Sequence, residues 1–185
     1  MILKQKTKGF TQYHFSGLTV NSTFCKKSAG FTLIELLVVI AIIGLLSTLA
    51  VVSLNNARTK SRDAKRLSDI KQIQTGLELY FADQNTYPAV ATAKTLGITG
   101  ALTLTSTSGF SDLTTGTVYM SKVPANPTPA ATAATTYSYT STTAAGVACT
   151  TGTCNGYKIV FALEGATSGY TANTVINATH AGVSH

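Results

Sequence analysis

The sequence predicts an α+β protein in which a long N-terminal α-helix, half apolar and half amphipathic, packs on a small antiparallel β-sheet head. Three observations carry that prediction. Residues 31–54 form a near-continuous apolar run, no proline interrupts residues 31–83, and segments beyond residue 130 alternate large apolar with polar side chains.

The apolar run, FTLIELLVVIAIIGLLSTLAVVSL, has Glu35 as its one charge. About 20 such residues suffice to cross the hydrocarbon core of a bilayer. Lys26 and Lys27 precede it, and the positive-inside rule then places this end in the cytoplasm and the remainder across the membrane. Arg58, Lys60, Arg62, Lys65 and Arg66 follow the far end, and require acidic groups or lipid phosphates as company. Gly44 reads as a single glycine in a membrane helix, a common occurrence.

Beyond Leu54 the pattern turns amphipathic. Leu67, Ile70, Ile73 or Gln74, Leu77, and Tyr80 or Phe81 fall at helical spacing, with the charged residues mostly elsewhere. A continuous helix of this extent would be ~80 Å long at 1.5 Å per residue. Asn85 is a candidate C-cap, and Pro88 prevents continuation. The chain therefore divides into a basic leader at 1–30, an apolar helix of membrane-spanning length at 31–54, an amphipathic helix at 55–84 and a head at 85–185.

Within the head, residues 89–117 are rich in Ala, Thr and Gly and read as a connecting loop. A short strand is expected at 118–123, then a proline-bearing turn through Pro124, Pro127 and Pro129. Tyr137, Tyr139 and Ser141 alternate with Ser138, Thr140 and Thr142; Tyr157, Ile159, Phe161 and Leu163 alternate with Lys158, Val160, Ala162 and Glu164. These are half-buried strands, and joining them antiparallel puts residues 144–156 in the connection. Residues 170–178 add an edge strand.

Composition limits function. The formal charge of +7 falls to +2 on loss of the five leader lysines, and the chain beyond Gln72 is slightly acidic. Nucleic acid is not expected as a direct partner of the subunit alone. Three cysteines cannot all pair internally. Cys25 lies in the leader, and Cys149 and Cys154 suit a loop disulfide at the tip of the 144–156 connection, with two free thiols as the alternative. Asp112 and Glu164 are too few carboxylates for a hard-cation site. His14 is in the leader, and His180 and His185 fall in a terminus expected to fray. No catalytic motif occurs, so no enzyme, metal or cofactor is expected.

Glu35 is the oddity of the apolar run. Thr32-x-x-Glu35 fits a capping box, in which two side chains satisfy free N–H groups at a helix start. Glu35 could instead lie at headgroup depth, or pair with an amine created at Phe31 of a neighbouring chain. Local chemistry leaves these open.

Lys26-Lys27-Ser28-Ala29-Gly30, then Phe31-Thr32-Leu33-Ile34-Glu35, then the apolar stretch, resembles the class III signal of type IV pilins and pseudopilins. The resemblance covers roughly residues 24–88. It implies cleavage after Gly30 by a prepilin peptidase, methylation of Phe31, and Glu35 as the carboxylate that aids recruitment into a filament. The implied partners are other pilin subunits, the peptidase, an assembly platform and the membrane. The implied location is the cytoplasmic membrane before assembly, then an extracellular filament or periplasmic pseudopilus. Val52 stands where many such chains have a helix-kinking proline. The segment from Tyr119 to Pro124, with Tyr137 and Tyr139, resembles the major pseudopilin of type II secretion. A pseudopilin or minor pilin of a secretion or DNA-uptake machine is therefore the alternative to a pilus subunit. Two readings outside this group are a secreted protein cut after Ala50, with Val51 as its first residue, and an anchored binding protein that never polymerises.

Overall fold

The computed structural model describes residues 30–167 and 169–184; the leader through Ala29, with Cys25, Lys26 and Lys27, and also His185, lie outside the described residues. Helix α1 spans Leu33–Gln84. It is continuous because its sequence offers no proline and only two glycines, Gly44 and Gly76. Asn85 ends it with φ of 55°, its N–H donating to Phe81 O at 2.8 Å, the left-handed stop that asparagine tolerates.

The chain divides after Gly44 into two units. Described residues of the first, 30–44, are exposed throughout. The second, from Leu45 onward, holds the rest of α1 and two antiparallel sheets. The larger sheet has the order β1-β5-β6-β7-β8, from Lys94–Thr95, Ser138–Thr142, Gly156–Ala162, Val175–Thr179 and Gly182–Ser184. In the smaller, β2 (Thr103–Thr105) lies between β3 (Gly109–Ser111) and β4 (Val118–Met120).

β5 and β6 pair antiparallel, Tyr139 opposite Ile159 and Ser141 opposite Tyr157. Tyr137, Tyr139, Tyr157, Ile159, Phe161 and Leu163 point into the core while Lys158 stays exposed, as their alternation predicts. Three expectations fail. Residues 89–117 are not merely a connection, since they contain β1, β2 and β3 and contribute Leu96, Leu104 and Phe110 to the core. Their strands have two or three residues, too short for alternation to register. β7 is an interior strand, because β8 pairs beyond it. For the same reason His180 is not frayed: it sits in the turn between β7 and β8, its ring 6.4 Å from that of Tyr157.

Helix α1 meets the head through a mixed face. Ile70, Ile73, Leu77 and Tyr80 are buried, as their spacing requires, and Leu67 and Phe81 pack at its margin. The face continues upward, however, through Asp63, Arg66 and Asp69, all buried. The expectation that charge lies mostly off this face fails for Arg66 and Asp69, and Asp63 joins them. They stand at i, i+3 and i+6, on the side of the helix that Ile70 and Ile73 continue, and are compensated there. Gly76 permits close packing: a Cβ would stand 2.9 Å from Met120 Cε and 3.6 Å from Leu104 Cδ2.

Arg66 is fully buried, and each of its three nitrogens has an acceptor. Nε donates to Asn126 Oδ1 at 2.9 Å, Nη1 to Asp63 Oδ1 at 2.7 Å, and Nη2 to Pro127 O and Pro129 O at 3.1 and 2.7 Å. Glu164 Oε1 also lies 2.7 Å from Nη1. Asp63 in turn accepts from the backbone N–H groups of Glu164 and Gly165 at 2.9 and 2.8 Å. Arg62 grips Glu164 in bidentate fashion, Nε at 2.7 Å and Nη2 at 2.5 Å. Hydrogen bonds from Arg62 hold the Glu164 carboxyl down to about 2 from an ordinary 4.5, with the Arg66 contacts adding to the effect against partial burial.

Toward the end of α1 tyrosine hydroxyls take over. Tyr137 donates to Asp69 at 3.1 Å, Tyr87 to Glu78 at 3.0 Å, and Tyr119 to Asp83. Burial among these groups raises the Tyr137 phenol, and the Asp69 charge adds to the shift.

Two predictions follow from this interface. Arg66→Ala leaves buried carboxylate without its partner and should cost about 3–5 kcal/mol, measured by urea unfolding of the detergent-solubilised chain with tyrosine near-ultraviolet dichroism. The depressed Glu164 contributes stability fully present above its unfolded value and lost as pH falls from about 4.5 toward about 2. Glu164→Gln should flatten the pH dependence of unfolding across that window.

Candidate functional site

Thr32 and Glu35 close the start of α1 as a reciprocal pair. The Thr32 N–H donates to Glu35 Oε2 at 2.8 Å, and the Glu35 N–H to Thr32 Oγ1 at 3.3 Å. The Thr32 hydroxyl also donates to Oε2, at 2.7 Å. Two otherwise orphaned helix donors are thereby satisfied. The capping-box reading of these residues is thus realised in the isolated chain. It occupies one carboxylate oxygen heavily, and an ionised carboxylate offers about four acceptor positions in all. Capping and a further cationic partner are chemically compatible.

Around this cap the surface is apolar on every side. Every residue from 30 to 58 is exposed, and the large apolar side chains between Phe31 and Leu54 range from 44% at Val39 to 83% at Phe31. An ordinary surface helix has one apolar stripe, whereas one apolar all round belongs in lipid or in a bundle. Length and composition suffice for a membrane crossing. Gly30 is exposed immediately before Phe31, and a Cβ there would meet nothing within 4 Å.

The cysteines are remote from this segment. Cys149 and Cys154 are joined by a disulfide with Cα atoms 5.7 Å apart. The pair itself is buried in the core, while residues 150–153 between its halves are exposed. The reason is a docking contact with the chain leaving α1. Tyr87 N–H donates to Cys154 O at 2.8 Å, and Cys154 N–H to Thr86 Oγ1 at 2.8 Å. Tyr87 then stacks on Phe81 and meets Tyr157 edge-on, at ring distances of 4.7 and 4.8 Å. Nothing in the Cys149–Cys154 spacing announced this contact; the adjacent Tyr87-Pro88 was the available signal.

Asp112 is used locally, accepting from the N–H groups of Gly100 and Leu102 at 2.7 and 3.1 Å. Glu164 is committed to Arg62 and Arg66. The two head carboxylates therefore serve separate structural tasks. Among the described residues no group of three or more His, Cys, Asp or Glu side chains is placed to hold a metal ion.

Comparison with known proteins adds a direct finding. Residues 25–51 match the family model described as the prokaryotic N-terminal methylation motif. The chain is 40% identical over 63 residues to the type II secretion system core protein G of Aeromonas hydrophila, covering 34% of this chain and 44% of that one. It is 42% identical over 62 residues to core protein G of Escherichia coli K12, covering 34% and 43%. To the type IV major pilin protein PilA of Myxococcus xanthus it is 32% identical over 66 residues, covering 36% and 30%. The chain thus spans less than half the length of these relatives. No solved structure matches it.

Replacing both cysteines by alanine removes a short cross-link. The loop-entropy argument gives a loss of about 2 kcal/mol, to be read as a lowered unfolding midpoint, with the packing of Tyr87 on Phe81 loosened in its aromatic NMR signals.

Proposed function

We propose that this chain, whose N-terminal segment carries the methylation motif shared by type IV pilins and type II secretion pseudopilins, is a structural subunit that polymerises through residues 31–54. The observation that carries the reading is an exposed helix surface, apolar on every side, that begins with one carboxylate, Glu35.

In this reading the chain enters the cytoplasmic membrane with its leader inside. A prepilin peptidase cuts after Gly30 and methylates the amine of Phe31. An assembly platform then moves the subunit from lipid into a helical filament, where apolar burial among neighbouring helices replaces burial among acyl chains. Removal of Glu35 from water is unfavourable unless a cation accompanies it. The Phe31 amine of an adjoining subunit is that cation, and pairing at one position along the rod sets the axial register. The Thr32 cap persists, because the remaining carboxylate positions accept the amine. The partners are further copies of the chain.

The identity to core protein G, 35–42% against 32% for the pilin over similar lengths, favours a second reading as a pseudopilin of a secretion machine. Deletion of the gene separates the two: loss of surface fibres marks a pilus subunit, and retention of normally exported proteins inside the cell marks a pseudopilin.

Glu35→Ala should leave the amount of membrane-inserted chain unchanged and reduce filament yield at least tenfold, a loss of ~1.4 kcal/mol or more per assembly step. Quantifying sheared fibres against membrane-bound subunit measures both. Normal fibre yield from Glu35→Ala would sink the assembly role. Gly30→Leu should leave uncut precursor in the membrane, visible by mass spectrometry.

A further inference from the structure

The six cations from Arg58 to Lys71 do not share one fate. Arg62 and Arg66 are consumed by Asp63 and Glu164. Arg58 and Lys60 are exposed, and among the described residues neither is paired with a carboxylate. Lys65 and Lys71 are also exposed.

Distance along the helix separates these remaining cations. Arg58 and Lys60 lie four and six residues beyond Leu54, about 6 and 9 Å at 1.5 Å per residue. The polar layer of a bilayer adds roughly 5–8 Å to each side of its hydrocarbon core. A flexible cationic side chain reaches several ångströms back toward that layer. Lys65 and Lys71, roughly 16 and 26 Å beyond Leu54, stand clear of it. Asn55 and Asn56, between Leu54 and Arg58, are polar and exposed, as headgroup depth requires.

We propose that Arg58 and Lys60 bind the phosphate groups of anionic phospholipid in the leaflet from which residues 45–54 emerge. This rests on the membrane-inserted state of the preceding section but not on polymerisation. The contact holds the unassembled subunit at a defined depth. Arginine supplies a planar donor fork for phosphate oxygens, and lysine a mobile point charge. Both contacts must be broken when the subunit leaves the bilayer, so anionic lipid opposes extraction.

The test reconstitutes the full chain in phosphatidylcholine vesicles containing spin-labelled phosphatidylglycerol or spin-labelled phosphatidylcholine. Electron paramagnetic resonance gives the preference of protein-contacting lipid for the anionic species. The leader lysines are common to all variants, so the readout is the difference between them. R58Q/K60Q should lower the preference by about threefold to about thirtyfold, the upper figure being full attraction of two cations to an anionic surface. K65Q/K71Q should leave it unchanged, and inorganic phosphate at the concentration of the labelled lipid should not compete. Equal preference in the native chain and R58Q/K60Q overturns the site, as does an equal loss in K65Q/K71Q. Competition by inorganic phosphate overturns its assignment to lipid. Alkaline extraction separates this from the underlying reading: a chain that stays inserted without the expected difference refutes the lipid site alone, and a chain that is released refutes both.

Discussion

A buried guanidinium, Arg66, is the constraint around which the head is organised. Its donors are shared among Asp63 on the same helix, Glu164 after β6, and the carbonyls of Pro127 and Pro129. Segments separated by 61 to 98 positions along the chain are thereby drawn to one turn of α1. A buried ion pair is often no more stabilising than apolar residues of equal volume, because desolvation offsets attraction. What the network supplies here is directionality: apolar contacts at Ile70, Ile73 and Leu77 would tolerate sliding along the helix, whereas hydrogen bonds of fixed geometry do not. No buried side-chain nitrogen or oxygen among the described residues lacks a hydrogen-bond partner, so the arrangement incurs no orphan penalty.

That anchorage explains how one helix can serve two environments. From Asp63 onward the side chains facing the head are fixed by ionic and tyrosine contacts. From Leu36 to Leu54 the helix presents exposed, predominantly apolar side chains suited to lipid or to other helices. Under the proposed function, a change of partners for residues 31–54 would leave these head contacts intact. The disulfide acts at the opposite end of the interface, binding the β5–β6 connection against the chain that leaves α1. Helix entry and helix exit are both secured, by unlike means.

Much of this was legible in the residues because the signals are local. A run of apolar side chains, a helix stop at Asn85 and Pro88, and the alternation through Tyr157 and Phe161 each depend on spacings of a few residues. The N-terminal motif was legible for the same reason, being a contiguous decapeptide with flanking charge. The strands at Thr103 and Gly109 were not, since three residues carry no measurable period and all three side chains of β2 are buried. The burial of Asp63, Arg66 and Asp69 was equally hidden, because periodicity placed them on the inner face while their charge argued for the outer one.

Sequence alone determined that a long helix begins near Phe31, that its first half is unsuited to water, and that a strand-bearing head follows. These rest on hydrophobicity and backbone preference, which act over short separations. Only the tertiary structure decided which of the basic residues are neutralised, where the cysteine pair docks, and that the head contains two sheets. Each depends on groups far apart in the chain, and whether a charge is tolerable in an interior is settled by the partners that folding brings to it.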